Sequence, residues 1–488
     1  MKTLSSLYRH NLALLTDLYQ LTMSQAFWAE GMADGEAVYH LTFRQSPFGG
    51  QYAIAAGLQY VTEFLDGWHI TSDDSEYLAT LNGADGKPLF RPQFLEYITD
   101  VPFRCSVDAI PEGTVVFPHE PLVRVQGPIW QCQVIETALL NIVNFQTLIA
   151  TKAARICRAA EGEPVLEFGL RRAQGIDGSL AASRAAIIGG CVATSNVLAG
   201  KLFNVGVRGT HAHSWVMAFD DEMNSFEAYA RAMPNNCVFL VDTYDTLEGV
   251  RRAIEVGKKL ELEGHRMLGV RLDSGDLSTL SRKSRALLDA AGMNDALIVA
   301  SNDLDEYEIT KLKSDGAAIN CWGVGTRLAT AYDQPALGGV YKLAAMRDES
   351  NEWEYRIKLS EQAIKVSNPG IQQVRRYSLE GQFVGDAIYD EPTGLNQESQ
   401  ILSGDGSHLF APIGYAHEDL LVPVFREGKL GYDCPAIEAI QQRVADQLSQ
   451  VPAGSLQLES PIGYPVGLEN RLYRIKDTLI KNARRDRQ

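Results

Sequence analysis

The stretch Arg208-Gly-Thr-His-Ala-His-Ser-Trp215 follows a short apolar run (Leu202, Val205, Val207) and packs two histidines, two hydroxyls and a glycine into eight residues. Placed at a strand tip, such a segment is a candidate nucleophile site, because imidazole is a competent nucleophile toward phosphorus. His211 and His213 could also be a metal pair, but spacing suggests no third ligand. A lone histidine is more often a satisfied core residue. Thr210, Ser214 and the expected strand-tip position favour catalysis here.

Other segments carry related chemistry. Glu167-Phe-Gly-Leu-Arg-Arg172 sets an aromatic ring beside two guanidinium groups. Phe168 with Arg171 or Arg172 suits a flat anionic ring, stacked on one group and paired with the other. The plainer alternative is a salt bridge from one arginine to Glu167. In Arg271-Leu-Asp-Ser-Gly-Asp276, alternate residues at a strand end face one side, so Arg271 and Asp273 can share a pocket. The acid could hold ribose hydroxyls or Mg²⁺, and the arginine a phosphate or a carboxylate; the alternative is an internal ion pair. Asp276 reads as the N-cap of the next helix. In Gly323-Val-Gly-Thr326, Gly323 and Gly325 would let backbone N–H groups approach an anion and Thr326 would add a hydroxyl. An ordinary tight turn is the alternative, and Ser301-Asn302 at the neighbouring strand tip favours phosphate.

The elements that must position these groups follow from the apolar pattern. From Pro164 to about Leu343, short apolar strands alternate with helices, including Val165–Phe168, Gly190–Thr194, Val205–Val207, Val238–Val241, Met267–Leu272, Leu297–Ala300 and Ala318–Val324. This repetition implies a parallel sheet. Polar residues follow nearly every strand, Asp242 among them, and chemistry from many C-terminal strand ends favours a barrel over an open sheet. The flanks read as α+β: a helix over Leu14–Glu30 capped by Thr16 or Asp17, a strand over Ala37–Phe43, a hairpin around Pro118–Pro121, one long helix over Ile129–Ala159, and strands and helices after Leu343. The expected architecture is α/β, an incomplete barrel over residues 161–343 inserted into an outer α+β domain formed by residues 1–160 and 344–488.

The chain has 488 residues, 45% hydrophobic and 22% charged, with a net charge of -16. That size predicts more than one domain, and the acidic balance argues against a nucleic-acid partner. It leaves room for a local basic pocket that takes an anionic small molecule. No apolar run is long enough for a membrane span and the first 20 residues lack a leader pattern, so a cytosolic protein is expected. Seven scattered cysteines without a Cys-x-x-Cys motif read as small buried hydrophobes.

Taken in order, Thr16-Asp-Leu-Tyr-Gln-Leu-Thr-Met23, Glu167-Phe-Gly-Leu-Arg-Arg-Ala-Gln-Gly175, Ala193-Thr-Ser-Asn-Val197, Gly209-Thr-His-Ala-His-Ser214, Arg271-Leu-Asp-Ser-Gly275, Ala300-Ser-Asn302, Gly323-Val-Gly-Thr326 and Leu337-Gly-Gly-Val-Tyr-Lys342 resemble the nicotinate phosphoribosyltransferase family through almost the whole chain. The resemblance implies an incomplete-barrel phosphoribosyltransferase fold and a head-to-tail homodimer with shared active sites. It implies transfer from 5-phosphoribosyl 1-diphosphate to nicotinate, coupled to ATP hydrolysis through a phosphohistidine, with Mg²⁺ as the metal. That reaction is the first step of NAD synthesis from nicotinate. By the same resemblance His213 is the phosphorylated histidine, and Tyr19 of the partner and Phe168 flank the pyridine ring. Arg171 lies near the carboxylate, and Arg271, Asp273, Thr210 and Ser214 contact substrate. Ser301, Asn302, Gly323, Gly325 and Thr326 bind phosphate, while His211 has no assigned role. The rivals are another pyridine phosphoribosyltransferase, for nicotinamide or quinolinate, and a non-catalytic nucleotide sensor. A phosphosugar lyase would want a strand-tip lysine, which the strand ends from Arg171 to Thr326 lack.

Overall fold

The computed structural model describes residues 11–347, 350–360, 362, 366–396 and 398–485. The first ten residues, and the end of the basic tail beyond Arg485, lie outside the described residues. The chain divides into two compact units, one of residues 148–335 with 437–445, the other of residues 1–147, 336–436 and 446–488.

The first unit holds a six-stranded sheet. Its strands are β1 (Val165–Glu167), β2 (Ala193–Thr194), β3 (Val238–Leu240), β4 (Gly269–Leu272), β5 (Leu297–Ala300) and β6 (Cys321–Val324). The spatial order is β2-β1-β6-β5-β4-β3 and every ladder is parallel. The intervening helices are α1 (Ile176–Ile188), α2 (Val197–Phe203), α3 (His213–Met217), α4 (Glu222–Ala232), α5 (Thr246–Leu262), α6 (Leu277–Ala290), α7 (Glu306–Ser314) and α8 (Thr326–Ala329). Parallel neighbours need such crossovers, and the turns into four of these helices are capped the same way. The side chains of Asn196, Asp245, Asp276 and Asp305 accept backbone N–H groups at the starts of α2, α5, α6 and α7, satisfying donors that a helix start leaves open.

The expected strand at Val205–Val207 shrinks to one parallel bridge from Val207 to Thr194. This adds an outer rung beside β2, and no ladder among the described residues joins it to β3, so the barrel is incomplete. Inside, Val238, Val299 and Cys321 form an apolar cluster with Leu166, Leu268 and Leu297.

The other unit is mostly antiparallel. Residues Glu36–Phe43, Ser106–Ala109, Val123–Pro128, Gly339–Arg347, Trp353–Tyr355, Val422–Arg426 and Lys429–Leu430 form a seven-stranded sheet. A second, six-stranded sheet is centred on Gln372–Leu379 and Gln382–Asp390. The Asn144 amide packs onto Gly339 in the Leu337–Lys342 motif: a Cβ there would lie 2.0 Å from Asn144 Oδ1, so a larger residue would have to displace that side chain. The helix starting at Leu18 has Asp17 at its N-cap.

Two expectations fail in the segment before β1. The hairpin around Pro118–Pro121 does not form, because Val115–Val116 pairs with Ala53–Ile54 and Val123–Pro128 pairs with two other strands. The segment Ile129–Ala159 is two helices, Ile129–Val134 and Glu136–Ala159. Tertiary pairing overrides local turn signals in the first case.

Candidate active site

The C-terminal ends of β1, β3, β4 and β5 bring most of the expected chemistry together. His213 does not sit on a strand tip, as the sequence suggested, but opens the short helix α3. Three side chains surround its ring. Nδ1 lies 3.2 Å from Thr243 Oγ1, and Nε2 lies 3.6 Å from Asp273 and 3.9 Å from Asp242. His213 and Asp273 are accessible at 39% and 37%, whereas Asp242 is 1% exposed.

Asp242 is the anchor of this cluster. Its Oδ2 accepts from the Asp273 backbone N–H at 3.0 Å and the Ser274 hydroxyl at 2.6 Å, tying the tip of β3 to that of β4. Its Oδ1 is buried and has no hydrogen-bond partner among the described residues, an unusual state for a carboxylate oxygen. Asp273 accepts from the Ser301 hydroxyl, which adds the tip of β5. Arg271 donates to Thr210 Oγ1 at 2.9 Å. Burial pulls the Arg271 guanidinium down from its ordinary value, while Asp273 and Asp242 oppose that shift. Its Nε is also buried and without a partner among the described residues. Arg271, Thr210 and Phe168 line one cavity of about 1110 Å³ that continues through the barrel past Leu166, Val299 and Cys321.

His211 belongs to the core instead. Its Nε2 accepts the Leu240 N–H at 3.3 Å, and its ring packs against Tyr229, Phe226 and Phe239. Burial lowers its pKa to about 4, so it is neutral at physiological pH.

The plainer alternative for the arginine segment, a salt bridge to Glu167, does not form. Arg171 and Arg172 lie on an exposed turn over Leu170–Arg172, and neither bonds Glu167. That buried carboxylate accepts from the Gly169 N–H, the Ser183 hydroxyl and the Thr194 hydroxyl. It therefore clamps the turn that carries Phe168 and Arg171 onto α1 and β2. Nothing in the sequence marked this role, because the partners are 16 and 27 residues away.

Gly323 acts partly through Phe168. A Cβ on Gly323 would lie 2.8 Å from two ring carbons of Phe168, so glycine inside β6 makes room for that ring. Gly325 precedes α8, with Thr326 as its first residue. Asn302 and Asp303 follow β5 with φ of 111° and 45°, a conformation that costs non-glycine residues energy and concentrates at functional loops. Asp305 accepts from Arg327, linking the start of α7 to α8. Thr243 and Asp305 are site residues that the sequence reading missed. Ser214 is the second residue of α3. Tyr19 lies in the other unit on the helix Leu18–Ala29, half exposed.

Comparison with known proteins agrees with this arrangement. Models of the nicotinate phosphoribosyltransferase N-terminal domain, family and C-terminal domain match residues 14–144, 164–356 and 372–476. The nicotinate phosphoribosyltransferase of Bacillus subtilis is 44% identical over 484 residues, covering 96% of each chain. One from Mycobacterium tuberculosis is 40% identical, covering 95% of this chain and 93% of its own. The crystal structure of human nicotinic acid phosphoribosyltransferase superposes with a TM-score of 0.83 at 32% identity, over 95% of this chain and 99% of that one. With matches of this extent and a parallel barrel carrying its polar residues at the strand ends, the chain belongs to the nicotinate phosphoribosyltransferase family.

Proposed function

We propose that the protein transfers the phosphoribosyl group of 5-phosphoribosyl 1-diphosphate to nicotinate, releasing diphosphate and forming nicotinate mononucleotide, the entry of nicotinate into NAD synthesis. The observation that carries this reading is the cluster of His213, Asp242, Asp273 and Arg271 beside the Phe168 cavity. In the reaction the bond from the anomeric carbon to diphosphate breaks and a bond to the pyridine nitrogen forms. Positive charge develops on the ribose and negative charge on the leaving group, so the residues contribute mainly by positioning and by charge stabilisation. Phe168 packs on the pyridine ring and Arg171 pairs with its carboxylate, which favours nicotinate over nicotinamide. Arg271 binds phosphate oxygens, and Asp273 the ribose hydroxyls. Thr210, Ser214, Ser301, Asn302 and Thr326 supply further donors to substrate and phosphate, joined by the backbone at Gly323 and Gly325.

ATP is the phosphoryl donor in this reading: its terminal phosphoryl passes to His213 with release of ADP, phospho-His213 orders the diphosphate site, and water then cleaves the phosphohistidine to give phosphate and free His213. Thr243 fixes the ring through Nδ1. Two carboxylates, one with an unpartnered buried oxygen, suit the oxygen ligands that Mg²⁺ prefers. Asp242 and Asp273 would hold it, and it would neutralise charge on the substrate phosphates. The protein acts as a homodimer that binds no nucleic acid, with Tyr19 of one protomer closing the pyridine site of its partner. The apolar surface of Leu12, Leu15, Leu18, Tyr19 and Met23, all well exposed in the single chain, supports that assembly.

The test is diphosphate release with nicotinate, 5-phosphoribosyl 1-diphosphate and Mg²⁺, with and without ATP, and with nicotinamide as control base. Nicotinate-dependent release stimulated by ATP is expected. His213→Ala should abolish the stimulation and leave slow, ATP-independent transfer; equal stimulation in that variant would overturn the phosphohistidine. Preference for nicotinamide would reassign the base, and binding without diphosphate release would make the protein a sensor.

A further inference from the structure

The outer unit contains a second cavity, of about 550 Å³, none of whose lining residues belongs to the barrel unit. Its apolar wall includes Phe117, Ile388, Tyr464, Val466 and Leu468. The Phe117 and Tyr464 rings stack with centroids 3.7 Å apart, and with Phe117 buried under Arg376 the half-buried Tyr464 ring is the more open aromatic surface of that wall. Its size and apolar character match those of small-molecule sites, which bury an apolar body and orient it with a few polar groups.

The polar groups are the unusual feature. Lys476 projects from the helix Asn470–Arg485 into this cavity. Burial pulls its pKa below the ordinary lysine value. Its Nζ donates to Asn368 Oδ1 at 2.8 Å, a neutral acceptor, and no carboxylate among the described residues lies within ion-pair distance. The buried lysine of the barrel unit is matched differently, Lys152 meeting both Glu306 and Asp333. Lys476 is half-buried, and even partial burial of an ammonium group without an anion costs solvation, which an anionic ligand would offset. His119 lines the same space with φ of 73°, a conformation uncommon outside glycine. Burial, Lys476 and Arg44 lower its pKa, so it adds a neutral hydrogen-bonding group and Lys476 carries the charge. At the rim Asp405, exposed and tied to the Ser403 and Ser407 hydroxyls, opposes a second negative charge.

We propose that this cavity is a binding site for a small molecule with a flat ring and a single anionic group, the ring against Phe117 and Tyr464 and the anion on Lys476. It is separate from the barrel residues assigned to catalysis. A ligand there bridges the helix Asn470–Arg485 to the strand Val466–Glu469 and to the loop at His119, so it would stabilise the outer unit.

The test is calorimetric titration of benzoate into the full-length Phe168→Ala protein, in which the ring contact in the barrel is removed. Benzamide is the neutral control. One saturable event is expected with benzoate, weakened about tenfold or more by Lys476→Met and retained by Lys476→Arg. Lys476→Met places an apolar side chain in an apolar cavity, so folding is expected to survive, and the melting temperature without ligand checks this. Equal affinity for benzamide, unchanged affinity in Lys476→Met, or no saturable binding of benzoate would each overturn the proposal.

Discussion

Two histidines separated by one alanine do different work because they meet different neighbours. His213 opens α3 and faces two carboxylates, while His211 points into an aromatic cluster and accepts a backbone N–H from β3. An unfolded histidine titrates near ~6.5, and His211 in the folded chain titrates near about 4. As pH falls, the unfolded chain takes up this proton first, so His211 contributes its full stability above ~6.5 and loses it progressively down to about 4. His211→Gln keeps an acceptor for Leu240 N–H and removes the titration. Its unfolding free energy, measured by denaturant titration between about pH 7 and 5, should fall less steeply than that of the native protein, by up to ~1.4 kcal/mol per pH unit. Parallel curves would mean that His211 is not held neutral. The sequence made His213 a candidate through its hydroxyl neighbours, yet could not tell which histidine was buried. That distinction depends on Phe226, Tyr229 and Phe239, which are distant in the chain.

At the scale of elements, β6 and the turn after β1 are fitted to one another. Gly323 leaves space for Phe168, and Glu167 clamps the turn that follows. Gly323→Ala forces the Phe168 ring to move. Overpacking of this kind costs about 1–3 kcal/mol, and a displaced ring loses its stacking on substrate, so KM for nicotinate should rise about tenfold. Steady-state kinetics with a parallel thermal melt checks both effects, and an unchanged KM would argue that Phe168 does not touch the pyridine. The glycines were legible as special positions, and the phosphate reading followed from their place after an apolar strand. Their packing on Phe168 was not legible, because it arises between strands whose sequences are more than 150 residues apart. The strands themselves were largely legible, since apolar runs buried on both faces leave a strong signal. The strand at Val205–Val207 failed for lack of a partner beyond Thr194.

For the whole molecule, the shared-site reading makes a prediction that no single-chain property would. If Tyr19 is supplied by the partner, then Tyr19→Ala and His213→Ala damage different sites of a mixed dimer. Mixing the two variants and allowing exchange should restore about a quarter of native ATP-stimulated turnover, because half of the random dimers carry one intact site. No recovery after demonstrated exchange would place Tyr19 in its own protomer's site or outside both. The sequence by itself determined the alternation of strands and helices, the Asp276 cap, the residue types at the strand ends and the family, because these depend on local pattern and on motif order. Only the tertiary structure decided that Asp242 and Asp273 together tie three strand ends, that Glu167 clamps the Phe168 turn rather than pairing an arginine, and that Lys476 is half-buried with no acid beside it among the described residues. Each of those depends on side chains brought together from distant segments, whose burial and hydrogen-bond accounting exist only once the chain is packed.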